Sequence, residues 1–464
     1  MREESERGQP RNLFFIHGQI KPSKQREVFT IKSKKVCLST NVAETSLTIP
    51  DIDYVVDCGK QRMKLYEPGS QISMWKDVPI SQSSAQQRAG RCGRIPGTLG
   101  QTFHLYTRSF FETHMEREQI PELLRMPIHE LCLSAKLLAA KNESIVSFLE
   151  AAPSPPRSRA LENAIELLVD LGALDKDENL TELGHQLIDL PIEPRLGKMV
   201  LASVVLKCLD PILTIVCSLS YRDPFIFPMT EREKRNLKEL KKGHFSLDTD
   251  SDHITLVKAF REWENAPKSQ RYRHRSHQPQ PADYLSFDTM TYIRNLREQL
   301  LGQLRAGGFV RSSRPNNQSN NRRNKTEFGT IRDCNTNSHK WSVVKAAMLC
   351  GAYPNLARVD ETARHGIKIV TDQAKTYMMD YQSVCAKVTR QRHTKYHWFI
   401  FEEISQQLRG QLPMLKMVTP MTTIAVAIFA GGNVELVESN HTDASDSEYD
   451  EIRPDLGMGE FTYM

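Results

Sequence analysis

Arginine recurs at every third position in the segment Gln86–Arg94, QQRAGRCGR. On a helix, a three-residue interval sets Arg88, Arg91 and Arg94 near one face. Guanidinium suits a phosphate there, because its planar fork binds two oxygens at once and never loses its charge. An arginine that faces a γ-phosphate stabilises the charge of phosphoryl transfer. Gly90 and Gly93 lack a Cβ, so this face is expected to approach another surface closely. A solvated arginine-rich turn has the same composition, so a second element has to support the chemistry.

That second element is Ser39–Lys60, STNVAETSLTIPDIDYVVDCGK. Thr40 and Asn41 end a β-branched run, where small hydroxyl and amide side chains suit a sugar–phosphate backbone. The AETS that follows can start a helix whose free N–H groups face a phosphate. Other chemistry is sparse. The fourteen histidines are scattered, without an HExxH or a paired-carboxylate motif. His17, His104 and His185 therefore read as structural, and no metal ligands are assigned. The aromatics from His397 to Phe401 read as alternating core and surface positions of a strand rather than a base-stacking surface. Tyr377–Tyr381 fits either description.

Together, STNVAETSLTI (Ser39–Ile49) and QRAGRCGR (Gln87–Arg94) closely resemble motifs V and VI of superfamily-2 RNA helicases. The likeness is to the second RecA-like lobe of the DEAH/DExH branch, which reads (S/A)TNxAETSxTI and QRxGRxGR. By motif position, the resemblance implies that Thr40 and Asn41 contact the RNA backbone. Ser46 and Thr48 would line an ATP site between two lobes, with Gln87 placing the attacking water and Arg91 and Arg94 acting as arginine fingers. A strand-parting β-hairpin would occupy about Lys60–Trp75. His17-Gly18 and Gln25–Phe29 resemble the lobe's H(S/G)…QxxxF stretch.

The likeness continues along nearly the whole chain. PELLRMPIHELCLSAKLL and TELGHQLIDLPIEPRLGKMVL resemble the branch's winged helix and the start of its helical ratchet. Ser220–Phe225 and Ser251–Trp263 resemble ratchet signatures. Asn335–Val359, WFIFEEI and VTPMTTIAVAIFAGG resemble the end of the ratchet and an OB-type domain, a fold that holds single strands in a basic groove with stacking surfaces. Arg297–Arg311 is similar to the members that carry a YTH domain, although no YTH module follows. There is also no GxxxxGK[ST] and no DEAH or DExH tetrapeptide. Arginine fingers without a phosphate cradle and a Mg²⁺-holding carboxylate cannot hydrolyse ATP. The resemblance thus implies a nucleotide-binding hydrolase that couples ATP and Mg²⁺ to RNA translocation and unwinding. This chain would supply its C-terminal part, holding neither cofactor and lacking ATPase activity by itself. The alternative is a non-enzymatic RNA-binding, translational-regulatory scaffold derived from a helicase.

The elements that must position these motifs follow from pattern. KKVCLST, DYVVDCG and TFHLYT read as strands, DYVVDCG with apolar residues buried on both faces, and Ser81–Arg94 as a serine-capped helix ended by its glycines. From Pro121 the pattern turns helical. Ser158 is expected to cap a helix that stops near Gly172, and DKDENLTELG to form a small hairpin, giving a winged helix. Arg195–Ser220, Asp252–Ala266 and Asp288–Ala306 predict a bundle. Ser312–Thr330 reads as a flexible loop, and Trp341–Ala352 as a helix. KIVT, HWFIFEEI and TTIAVAIFA predict strands of a small barrel. The fold class is multidomain α/β plus α plus β. It comprises a partial RecA-like lobe (1–107), a winged helix (108–185), a ratchet bundle (186–310), an OB-like barrel (311–434) and an acidic tail (435–464).

Composition agrees with several globular domains: 464 residues, 39% hydrophobic and 25% charged. No apolar run approaches the ~18 residues that would cross a bilayer, and MREESERGQP has no apolar core for a signal peptide. Nine cysteines without a CxxC pair point to a reducing compartment, the cytoplasm first and the nucleus second. The net charge of +6 averages basic runs at Arg232–Lys242, Lys268–Arg275 and Arg311–Lys325 with the acidic tail, which reads as a disordered, solubilising end. The basic runs favour RNA as partner, with protein partners reached through the C-terminal domains.

Overall fold

The computed structural model describes residues 12–18, 22–31, 33–45, 47–68, 72–140, 143–226, 231–246, 249–266, 281–310, 332–360, 368–371, 376–386, 396–406, 412–430, 434–436 and 452–454. The expected loop at Ser312–Thr330 and the basic run Lys268–Arg275 lie outside them. The chain divides into two compact units, residues 1–66 with 74–126, and 67–73 with 127–464.

In the first unit, β1 (Asn12–Ile16) pairs in parallel with β2 (Lys35–Ser39), and α1 (Pro22–Thr30) connects them. Their apolar contact is small: Ile16, Val28 and Ile49, edged by Phe14, Cys37, Val42, Leu47 and Ile52. The buried Lys35 amine is satisfied by Asp51 at 2.8 Å and by the carbonyls of Val28 and Ile31. After β2 comes the short α2 (Val42–Thr45), then β3 (Tyr54–Asp57), β4 (Lys60–Glu67) and β5 (Ile72–Pro79). β4 and β5 are neighbouring strands, as a hairpin requires. α3 (Gln82–Ala89) begins at Ser81, whose hydroxyl accepts from Ser84 N, and ends at Gly90, so both expected caps are present. β6 (Gln101–His104) returns parallel to β3. The expectation that β3 is buried on both faces fails. Tyr54 and Val56 are 63% and 64% exposed, because a two-stranded layer with a helix on one side leaves its other face uncovered.

The second unit opens with helices α4 (His129–Leu138), α5 (Ile145–Glu150), α6 (Ser158–Asp170) and α7 (Glu182–Ile188). Ser158 is not the cap; it is the first helical residue, Arg157 holds the cap position and no side chain bonds there. Gly172 does follow the helix with φ +77°, a conformation that favours glycine. The expected hairpin is reduced to one antiparallel bridge, Leu174 to Leu180, closed by the Asp175 carboxylate on the amides of Asp177 and Asn179.

A bundle follows: α8 (Pro194–Val205), α9 (Leu209–Leu219), α10 (Glu231–Leu240), α11 (Asp252–Asn265) and the helices Phe287–Ala306 and Trp341–Ala352. α9 is apolar around its circumference and is buried all round, forming the bundle's centre. Arg297 is 1% exposed. It donates to the Asp210 carboxylate at 2.6 Å, to the Asp210 carbonyl and to Thr214, and lies over the Phe260 ring. A buried charge needs such partners, and here both terminal nitrogens of the guanidinium have them.

The last region is strand-rich. β7 (Leu356–Asp360) pairs antiparallel with β8 (Lys368–Thr371) and β10 (Trp398–Ile400), and β8 with β9 (Thr376–Met379). β12 (Met414–Lys416) runs parallel to β9 and antiparallel to β11 (Glu403–Gln406), while β13 (Thr419–Met421) pairs with β10. Trp398, Phe399 and Phe401 do not alternate between core and surface; all are buried. Trp398 packs into the helical core, and Phe399 and Phe401 pack among the strands with Tyr377. TTIAVAIFA is not a strand but a helix, Thr423–Phe429. The Thr422 hydroxyl accepts from Ala425 N and starts it, overriding the β-branched composition. At the acidic tail, Val434–Leu436 pairs antiparallel with Ile452–Pro454; residues 437–451 and 455–464, on which the expectation of a disordered end mainly falls, lie outside the described residues.

α11 is tied to the strands through buried polar groups. The Asp252 carboxylate accepts from Ser383 and from the amides of Val384 and Val418, and burial raises its pKa. His253 Nδ1 lies 2.8 Å from the Thr419 hydroxyl, and burial lowers its pKa to about 3. Among the described residues no helix is long and apolar enough to cross a membrane.

Candidate phosphate-facing arginine site

The chain turn after β2 sets the first half of the site. Thr40 N donates to the Ile16 carbonyl, and the carbonyls of Thr40 and Asn41 accept from Ala43 and Glu44. These bonds hold the backbone while leaving the Thr40 and Asn41 side chains exposed and without side-chain partners among the described residues. Ser46 lies outside the described residues. Thr48 is exposed two positions further on.

The second half is α3 and the turn that follows it. Arg91 Nη1 and Arg94 Nη1 both reach the Thr48 hydroxyl, at 3.4 and 3.5 Å. The same chain turn thus carries two guanidiniums over one threonine, joining two motifs that lie more than forty residues apart. Arg91 Nε is buried without a hydrogen-bond partner. Neither arginine pairs with a carboxylate among the described residues. Arg94 Nε bonds the Gly90 carbonyl at 3.0 Å, which orients its fork. Gln87 is exposed on α3.

Arg88 behaves differently from its two neighbours. Its Nε donates to Glu44 at 2.9 Å and its Nη1 to Asp57 at 2.9 Å and to the Lys60 carbonyl. Burial opposes its charge, but the two carboxylates outweigh that and raise its pKa. The expectation of three guanidiniums on one face therefore fails. The helix stops at Ala89, so Arg91 and Arg94 follow a turn geometry, while Arg88 points into the unit. Asp57 also accepts from Gly59 N and from the Tyr106 hydroxyl. Glu44 and Asp57 were not singled out in the sequence, where nothing distinguishes them from other carboxylates.

The glycines divide in the same way. Gly93 has φ +64°, and a Cβ there would fall 2.7 Å from Gly100 N, so this position requires glycine. The surface it approaches is the chain's own turn. Gly90 has φ −66° and only ordinary contacts around an added Cβ.

Residues 4–96 match the family of the helicase conserved C-terminal domain. Residues 164–192 match the winged-helix part, and 193–256 the ratchet-like part, of the helicase associated domain HA2. Similar proteins include the DExH-box ATP-dependent RNA helicase DExH3 of Arabidopsis thaliana, 36% identical over 76% of this chain and 27% of that protein. The ATP-dependent DNA/RNA helicase DHX36 of Bos taurus is 33% identical over 88% of this chain and 38% of its own length. DExH2 of Arabidopsis thaliana is 30% identical over 94% of this chain and 26% of its own length. This chain belongs to the DExH-box helicase family. It carries that family's C-terminal helicase, winged-helix and ratchet domains, and spans between a quarter and two-fifths of the length of these curated relatives. In this DExH-box chain the arginine pair and Thr40–Asn41 fall inside the matched helicase domain. Among its described residues, no three His, Cys, Asp or Glu side chains gather as a metal site would need.

Proposed function

We propose that this chain works as the C-terminal part of an ATP-dependent RNA helicase, in which Arg91 and Arg94 are arginine fingers. The carrying observation is the convergence of both guanidiniums on Thr48 with the buried Arg91 Nε left unpartnered. Such an orphaned cationic donor fits an anionic oxygen. The residues present therefore suit the γ-phosphate end of a nucleotide. Thr48 and Ser46 would flank it, and Gln87 would orient the attacking water. ATP with Mg²⁺ would supply the phosphoryl group and its charge neutralisation. A phosphate cradle and the carboxylates for the metal would come from a first RecA-like lobe, since neither motif occurs in these 464 residues.

On this reading single-stranded RNA meets Thr40 and Asn41 through its backbone. The working division is a helicase lobe to residue 107, a winged helix to 185, a ratchet to 310 and an OB-like barrel to 434. In favour of an OB-like domain, β10, β7, β8, β9, β12 and β11 follow one another in a single mixed sheet with one parallel contact, β12 to β9. Short strands in such an order are the material from which a small OB-like domain is built. The proposed compartment is the cytoplasm, with protein partners met through the C-terminal domains.

The purified chain should show no RNA-stimulated ATP turnover. A first lobe supplied in trans should restore turnover with the wild-type chain and not with Arg91→Ala or Arg94→Ala. Turnover by the chain alone, or restoration that ignores both substitutions, refutes the assignment. The missing P-loop and DExH tetrapeptide favour a second reading, a non-enzymatic RNA-binding scaffold. RNA binding with no turnover under any complementation would support it.

A further inference from the structure

The loop that ends α9 carries an aromatic arrangement with no part in the site above. Tyr221 follows the helix and Tyr292 lies on Phe287–Ala306, and their rings stack at 4.0 Å with an interplanar angle of 25°. They are 40% and 47% exposed, although aromatic rings contribute most to stability when buried. Neither hydroxyl has a hydrogen-bond partner among the described residues. Arg222 lies with Cζ 5.5 Å from the centre of the Tyr221 ring and pairs with no carboxylate among those residues.

The arrangement is held in place. Ser286 N bonds the Pro224 carbonyl and Ile226 N the Tyr284 carbonyl, both at 2.8 Å. Asp223 accepts from Phe225 N and pairs with Lys241, which also sits over the Phe225 ring. Tyr292 is flanked on its helix by the buried Met290 and Ile293. Two exposed rings near base-stacking distance, fixed on rigid elements beside an unpaired guanidinium, are what a single strand requires. Rings accept any base by stacking, and the cation meets phosphate.

We propose that Tyr221, Tyr292 and Arg222 form a base-stacking site for single-stranded RNA, in which a nucleobase extends the tyrosine stack and Arg222 takes the flanking phosphate. It rests on the RNA-binding reading above and adds a contact in the helical bundle, separate from Thr40 and Asn41.

The test is fluorescence anisotropy of the full chain with a labelled oligouridylate and with an abasic ribose-phosphate chain of the same length. Tyr221→Ala and Tyr292→Ala should each weaken oligouridylate binding about fivefold or more, the value of one base–aromatic stack. Abasic binding should stay unchanged, and Tyr292→Phe should bind as wild type. Arg222→Gln should weaken both probes alike. The site is refuted if the alanine variants bind oligouridylate as wild type, or lose the abasic probe equally. If the wild-type chain binds both probes with the same affinity, the stacking site falls while the RNA-binding reading stands. If it binds neither, both fall.

Discussion

Replacing Arg88 by methionine keeps the length of the side chain and removes its charge. In the folded unit the Arg88 side chain is 15% exposed, and its partners Glu44 and Asp57 are 10% and 1% exposed. The substitution leaves two shielded carboxylates without their cation. Breaking a buried pair from one side costs about 3–5 kcal/mol. Asp57 retains Gly59 N and the Tyr106 hydroxyl as donors, which lowers the expected loss to about 2–3 kcal/mol. Arg91→Met serves as control. Arg91 has one long hydrogen bond and no ion pair, so its loss should fall within about 0.5 kcal/mol. Native-state hydrogen exchange can read both. The Ile80 amide, bonded to the Gly59 carbonyl beside Asp57, reports opening of this region. Arg88→Met should accelerate its exchange roughly 30- to 150-fold, and Arg91→Met by less than about threefold. If Arg88→Met exchanges within twofold of wild type, or Arg91→Met matches it, the division between a structural and a phosphate-facing arginine is wrong.

Two further outcomes follow from the geometry. Gly93→Ala should destabilise the first unit by about 1–3 kcal/mol, because alanine must hold a positive φ against Gly100, whereas Gly90→Ala should be near neutral. Hydrogen exchange of the same region checks this, and equal effects at both glycines would contradict it. The buried His253 titrates near 3 when folded and near 6.5 when unfolded, so the unfolded state binds the extra proton first. Its stabilising contribution is complete above about pH 6.5 and is lost toward pH 3, at up to about 1.4 kcal/mol per pH unit. Thermal melts between pH 7 and 4.5 should therefore show a steeper decline for wild type than for His253→Gln. Parallel declines would remove His253 as the cause.

Much of the secondary structure was legible because it is encoded by near neighbours. Ser81 and Gly90 bound α3, KIVT is a strand over the expected residues, TFHLYT is a strand only as far as His104, and Trp341–Ala352 is helical over the expected residues. The failures share a cause as well. TTIAVAIFA has strand composition, yet one threonine cap and a bundle to pack on make it helical. Burial of β3 on both faces depended on how many layers surround it, which no local pattern states. In β10, successive side chains serve two different cores, so alternation could not separate inside from outside.

The sequence by itself determined the family and the motifs, because arginines, glycines and a Thr-Asn turn at fixed spacing are properties of the chain. It also shows that neither a GxxxxGK[ST] cradle nor a DExH tetrapeptide occurs in these 464 residues. Only the tertiary structure decided which arginine the carboxylates claim. Arg88, Arg91 and Arg94 are equivalent by spacing, but the carboxylates that claim Arg88 lie 44 and 31 residues away. Their approach depends on α2 and β3 folding beneath α3. A charge buried against partners becomes structural, and one left over an exposed hydroxyl remains available to an anion; that difference arises only in three dimensions.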